Sequence, residues 1–198
     1  MPVTALIAPE IDYLPRPERV VSTCMVDDRF ERSDIRVNPV TGAIAAGMPL
    51  QLQMTVVRDV GSRTVLLPGV LVELSHCDAI GTDARAVQGY QITDDLGEAT
   101  FTTIYPGWCS GRAVNIRYTL HVPRADGRID RFSSSLYFPD EVTDRVHARP
   151  PYAFKRGQGL LNAHDVTFRG SPSPVVLPLT KRDGGYAADV RIAMQRIP

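Results

Sequence analysis

In the segment Leu50-Gln51-Leu52-Gln53-Met54-Thr55-Val56 every second residue is apolar, and only an extended chain puts residues i, i+2 and i+4 on one face. The same signature recurs along the chain and decides the fold class. Val70 to Leu74 is a short apolar run of the sandwich-core kind, Ala99 to Tyr105 and Arg131 to Phe138 are Thr- or Ser-rich strands, and Val175 to Leu179 and Tyr186 to Met194 close the sheet. Turn residues separate them at Asp94-Asp95-Leu96-Gly97 and Asp183-Gly184-Gly185, where short polar side chains and glycine favour chain reversal. One short helix is expected from Asp140, with Glu141 in its first turn and Arg145 and His147 towards its end, the charge order a helix dipole favours. Many short strands with Pro and Gly between them predict an all-β fold, an antiparallel β-sandwich. Residues 1–23, with Pro2, Pro9, Pro15 and Pro17 and little periodicity, read as an arm lying on the body or on a neighbouring subunit. The domain itself is expected over 24–198.

The 198 residues carry 22 basic and 22 acidic side chains. The length fits one domain with its own core. The charge balance offers no clustered Lys and Arg for a nucleic-acid backbone, and no apolar run approaches a membrane span. The opening Met1-Pro2-Val3-Thr4-Ala5-Leu6-Ile7-Ala8 is soon broken by Pro9-Glu10 and lacks a basic-then-apolar leader pattern. The expected location is therefore the cytoplasm. Three cysteines do not make a disulfide framework there, and an odd count reads as free thiols.

The strand expected over Arg112 to His121 places Val114, Ile116, Tyr118 and Leu120 on one face, and Ala113, Asn115, Arg117, Thr119 and His121 on the other. Periodicity alone reads the second face as a polar surface in water.

The stretch Pro106-Gly107-Trp108-Cys109-Ser110-Gly111-Arg112-Ala113-Val114-Asn115-Ile116-Arg117 resembles the Pro-Gly-Trp-Tyr-x-Gly-Arg-x-x-His-Ile-His segment of the intradiol ring-cleavage dioxygenases. Arg32-Ser33-Asp34-Ile35, His76-Cys77-Asp78-Ala79-Ile80-Gly81 and Gly89-Tyr90-Gln91-Ile92-Thr93-Asp94 resemble the family's Arg-Ser-Asp-Ile, His-Cys-Asp-Ala-x-Gly and Gly-x-Gln-x-Thr-Asp. Leu136 to Glu141, Pro151-Tyr152, Asn162 and Asp165 follow its C-terminal pattern, so the resemblance spans roughly residues 24 to 195. It implies the family's β-sandwich, with long loops building a pocket at one side and at most one or two short helices.

In that family two Tyr and two His bind ferric iron. The positions that correspond here are Asp83, Cys109, Asn115 and Arg117, and a second-shell Gln of the family corresponds to Ser135; the family's Arg is kept as Arg112. Asn is a weak ligand, and Arg carries a fixed positive charge. Placing it a few ångströms from a trivalent cation is repulsive by several kcal/mol even at an effective dielectric near 20. The substitutions therefore argue against the dioxygenase reaction and for a site without metal or other cofactor. The resemblance also leaves Cys24 and Cys77 as a possible pair, since secreted members often carry cysteines there, beside the reading of two small buried residues.

Several chemistries stay open for the vacated site. Arg112 and Arg117 suit a carboxylate, an enolate or a phenolate. Asp83 is the candidate general base, if the pocket raises its pKa. Tyr90, Tyr105 and Trp108 are candidate aromatic walls, with core packing as the plain alternative. Cys109 is either a nucleophile activated by neighbouring arginines or a small filler. The leading expectation is a non-redox enzyme of the isomerase, cyclase or lyase type, acting on an anionic or enolisable small molecule in specialised metabolism. The rivals are a non-catalytic partner subunit of an iron-bearing chain and a binding protein for an aromatic acid. Homodimer formation or pairing with a paralogous subunit is expected. An open cavity favours the enzyme; a cavity filled by its own side chains favours the scaffold.

Overall fold

The computed structural model of the chain describes residues 18–19 and 27–195, apart from 61, 84, 125 and 158. Cys24, and the expected arm apart from Glu18 and Arg19, lie outside the described residues.

Eleven strands form two sheets among these residues. They are β1 (Glu18–Arg19), β2 (Pro49–Val60), β3 (Arg63–Leu66), β4 (Leu71–His76), β5 (Val87–Ile92), β6 (Glu98–Ile104), β7 (Asn115–Pro123), β8 (Ile129–Tyr137), β9 (Val175–Val176), β10 (Thr180–Arg182) and β11 (Gly185–Gln195). One sheet runs β1-β8-β7-β4-β5, with β9 also on β8; the other runs β10-β11-β2-β3, with β6 also on β2. Two short helices, α1 (Asp140–His147) and α2 (Val166–Gly170), complete the fold. Helix α1 is the one expected from Asp140.

The period of two buries one face of each sheet. Leu50, Leu52, Met54 and Val56 of β2 are fully inaccessible, and they belong to one apolar cluster with Val72, Leu74, Ile116, Tyr118 and Leu120 of the other sheet. Fully burying each such side chain contributes about 1.5–3 kcal/mol.

Pairing is mostly antiparallel, as expected, with two departures. The long strand β11 runs parallel to β2 over ten residue pairs, Tyr186↔Leu50 to Gln195↔Asp59, and β9 runs parallel to β8. Alternation reports which face is buried but not the direction of the neighbour, so periodicity carries no information on this point. Strand β7 starts at Asn115 rather than Arg112, because 105–114 is a loop pinned from outside the sheet. In that loop Gly107 donates its N–H to the Asp78 carbonyl at 3.1 Å. A Cβ at Gly107 would run into the carbonyls of Asp78 and Ala79, so only glycine lets the two backbones approach this closely.

Candidate functional site

The outer face of β7 carries Asn115, Arg117 and Thr119, and above it opens a cleft of about 300 Å³. Strand β4 contributes Glu73, Ser75 and His76, β8 contributes Arg131, and the segment before β5 contributes Arg85. The loop before β7 adds Gly107, Cys109, Arg112 and Ala113. Register explains the assembly: Arg117 lies opposite Ser75 and Ser135, and Thr119 opposite Glu73 and Ser133. Three neighbouring strands thus turn alternate residues to the same side.

A disulfide between Cys77 and Cys109 lies in the cleft wall. It joins the end of β4 to the loop before β7, across 32 residues and a Cα–Cα distance of 6.3 Å. This corrects two expectations. Cys109 is neither a free nucleophile nor a lone filler, and Cys77 is paired with Cys109 rather than with Cys24. Nothing in the spacing of three cysteines fixes which two meet. Such a bond persists in oxidising surroundings and is rare in the cytosol, so this linkage does not favour the cytoplasmic expectation.

Arg112 is anchored from behind. Its Nε donates to Asp165 Oδ2 at 2.8 Å and an Nη to the Tyr137 hydroxyl at 3.1 Å. The Asp165 side chain is completely buried. Its Oδ2 also accepts the Ala113 N–H, and its Oδ1 accepts the N–H groups of Thr167 and Phe168, capping α2. Burial alone would raise this carboxyl, but the Arg112 guanidinium and the backbone donors hold it below the usual range. Arg117 is exposed, with its Cα in the middle of the sheet. Asn115 is turned inward by its own amide, which donates to the Ala113 carbonyl at 2.7 Å.

Glu73 is the one carboxylate among the described lining residues. It accepts from His121 Nε2 at 3.4 Å. That contact holds the Glu73 carboxyl below its ordinary value, against burial that would raise it, and the charges of Arg131 and Arg85 add to the lowering. At the base of the cleft His76 is almost fully buried. Its Nδ1 lies 2.8 Å from the Cys77 carbonyl, which only accepts, so Nδ1 carries the proton; Nε2 then accepts from the Thr103 hydroxyl at 2.7 Å. Burial lowers this imidazole to about 4, so it is neutral near pH 7 and ties one sheet to the other.

The remaining sequence-predicted residues fall elsewhere. Asp83 does not line the cleft: it is exposed, and its Oδ1 accepts the N–H of Arg85 at 2.6 Å. A short local turn fixes it, so the carboxylate stands outside the site. Tyr105 is fully buried in the core, against Phe138, with its hydroxyl 2.7 Å from that of Thr143. Trp108 packs under Lys155, whose Nζ is 3.7 Å from the ring centroid, and lines a separate cleft of about 150 Å³ with α1. Tyr90 is buried on β5, bridged to Glu31. Ser135 lines a neighbouring depression with Tyr137. The plain packing alternative therefore accounts for Tyr105 and Trp108. Glu73, Arg85 and Arg131 were missed; the outward positions of β4 and β8 carry the signal for Glu73 and Arg131 once the sheet order is known, and Arg85, in the segment before β5, has no such signal.

These donors do not fit ferric iron. Cys109 is held in a disulfide, Asn115 is turned to a backbone carbonyl, Arg117 is a cation and Asp83 stands apart. No cluster of three or more His, Cys, Asp or Glu among the described residues has the arrangement to hold a metal ion. Nor is any helix among them long and apolar enough to cross a membrane.

No family model matches the sequence, and no curated protein does. Solved structures do. An intradiol ring-cleavage dioxygenase from Tetranychus urticae superposes with a TM-score of 0.69 at 18% identity, covering 89% of this chain and 92% of that one. The dioxygenase domain of a dioxygenase–carbohydrate-binding protein fusion from Streptomyces sp. SirexAA-E gives 0.60 at 22% identity, covering 92% and 99%. A 3-chlorocatechol 1,2-dioxygenase from Rhodococcus opacus 1CP gives 0.52 at 17% identity, covering 77% and 62%. The chain has the fold of the intradiol ring-cleavage dioxygenases.

Proposed function

We propose that this chain is a divergent intradiol-type protein that binds a small anionic or enolisable organic molecule in the arginine-lined cleft and acts on it without a metal, by non-redox chemistry of the isomerase or cyclase type. One observation carries the reading: the cleft beside Cys109, Asn115 and Arg117 is open and cationic, not filled by its own side chains. That openness speaks against the non-catalytic scaffold. Guanidinium groups bind carboxylates and enolates through charge-assisted hydrogen bonds, and stabilise negative charge that develops during proton transfer. In place of Asp83, the carboxylate positioned to exchange a proton is Glu73, oriented by His121. The fixed charge of Arg117 serves where the family has a metal cation.

The test uses benzoate as probe. Calorimetric titration of metal-stripped protein should show binding, and Arg117→Met should weaken it by about 1.5–3 kcal/mol without changing the unfolding midpoint. Equal binding by the variant contradicts the proposal. Protein made in iron-rich medium should carry far less than one iron per chain and show no tyrosinate-to-iron absorption band; stoichiometric iron contradicts the metal-free reading.

A second reading, binding without turnover, is favoured by the lowered pKa of Glu73, since a weakly basic carboxylate is a poor proton acceptor. Purified protein that binds its ligand unchanged, and whose Glu73→Gln variant binds as well, supports the carrier. Turnover that falls about a hundredfold or more in Glu73→Gln supports the enzyme.

A further inference from the structure

We infer that the anionic group taken by the cleft is a compact dianion, a phosphoryl group; this rests on the reading that the cleft binds an anion. The charges lining it are unbalanced. Four guanidiniums, those of Arg85, Arg112, Arg117 and Arg131, face one lining carboxylate, Glu73, with Asp165 behind Arg112. Among the described residues this leaves an excess of two positive charges.

Strand register shows where the excess lies. Arg131 is opposite His121, four residues along from Arg117, a backbone offset of about 13 Å. Glu73, opposite Thr119 between the two ends, feels the charges of both Arg131 and Arg85. Arg85 is tied by its Nε to Gln88, which pairs with Ser75, and Ser75 pairs with Arg117. Arg112 follows Cys109, whose disulfide partner Cys77 ends the Ser75-His76-Cys77 run. Arg85, Arg112 and Arg117 therefore share the disulfide end, where Asp165 binds Arg112 and Asp83 accepts the Arg85 backbone N–H, and cations outnumber carboxylates there.

A carboxylate brings one negative charge and two acceptor oxygens. A phosphoryl group brings nearly two charges and three oxygens on one atom, which can accept from the N–H groups that Arg85, Arg112 and Arg117 keep beyond those given to Gln88, Asp165 and Tyr137. A second, distant carboxylate would lie beside Glu73 and be repelled. The chemistry is shared by a phosphate ester of the substrate and by free phosphate.

The experiment compares phenyl phosphate, inorganic phosphate and benzoate by calorimetry between pH 5 and 8. The second phosphoryl pKa is about 6, so phenyl phosphate should bind more tightly at pH 7.5 than at pH 5, by up to about tenfold as the dianion replaces the monoanion. Benzoate, ionised throughout this range, is the control for Glu73, His121 and Asp165, the titratable groups that face the cleft or its arginines, and for the neutral His76. Arg85→Met should weaken phenyl phosphate more than benzoate at pH 7.5, so that most of the dianion preference is lost; equal weakening of both contradicts the inference. Phenyl phosphate that binds more tightly than inorganic phosphate identifies an ester; equal binding identifies free phosphate, and both support the inference. If benzoate binds in an Arg117-dependent way while phenyl phosphate shows no pH step beyond that of benzoate, the dianion inference fails and the anion-binding reading stands. If none of the three binds, both fail.

Discussion

His76 shows how one residue sets both packing and acid response. The neutral imidazole bridges the sheets, with Nδ1–H on the Cys77 carbonyl and Nε2 on Thr103. Burial lowers its pKa to about 4, against 6.5 when solvated. The unfolded chain therefore takes up this proton first, and stability falls as pH drops from about 6.5 to 4, by on the order of 3 kcal/mol in all. Chemical denaturation across that window should show the fall, and His76→Gln should flatten it while lowering stability at pH 7. The residue scale is also where the expected position of Asp83 differs from the structure, which leaves it out of the cleft lining. Asp83 corresponds to a ligand position by motif spacing, but its exposed carboxylate closes a local turn on Arg85, a local pairing that motif spacing does not encode.

At the scale of elements, the loop 105–114 is held from two sides. The Cys77–Cys109 bond closes a loop of 32 residues, which by chain entropy stabilises the fold by about 3–4 kcal/mol. Reductant should lower the denaturant midpoint accordingly, and the double variant Cys77→Ser/Cys109→Ser should no longer respond to it. Asp165 holds the other side by binding Arg112 and Ala113 while it caps α2. Asp165→Ala orphans those donors and should cost about 2–4 kcal/mol, with anion affinity falling as Arg112 loses its anchor; melting and benzoate titration of the same variant check both. The outward face of β7 was legible because alternation is local: Asn115, Arg117, Thr119 and His121 do share it. Glu73 was not legible, because it reaches the cleft beside Thr119, more than 40 positions along the chain; Arg131 enters beside His121, and Arg85 through Gln88 beside Ser75, and no local pattern encodes which strands adjoin.

For the whole molecule, the sandwich was legible from many short alternating runs, and its dioxygenase-type fold from ordered motifs that hold loops together. Gly107 against Asp78 and Asp165 against Ala113 are examples. These motif residues hold the scaffold through hydrogen bonds within the chain, which is compatible with Cys109, Asn115 and Arg117 standing where the resemblance places metal ligands. The parallel course of β11 beside β2 and the pairing of Cys77 with Cys109 were not legible, because both depend on how distant segments meet. The central claim is that the old metal position is now a cationic binding cleft. Crystals grown with 4-bromobenzoate test it most directly, since the bromine marks the ligand by its anomalous signal. The account predicts a bromine peak inside the cleft, with the carboxylate on Arg117 and no metal density between Cys109, Asn115 and Arg117. A ligand seated elsewhere with this cleft empty, or a metal ion bound among those three residues, would contradict it.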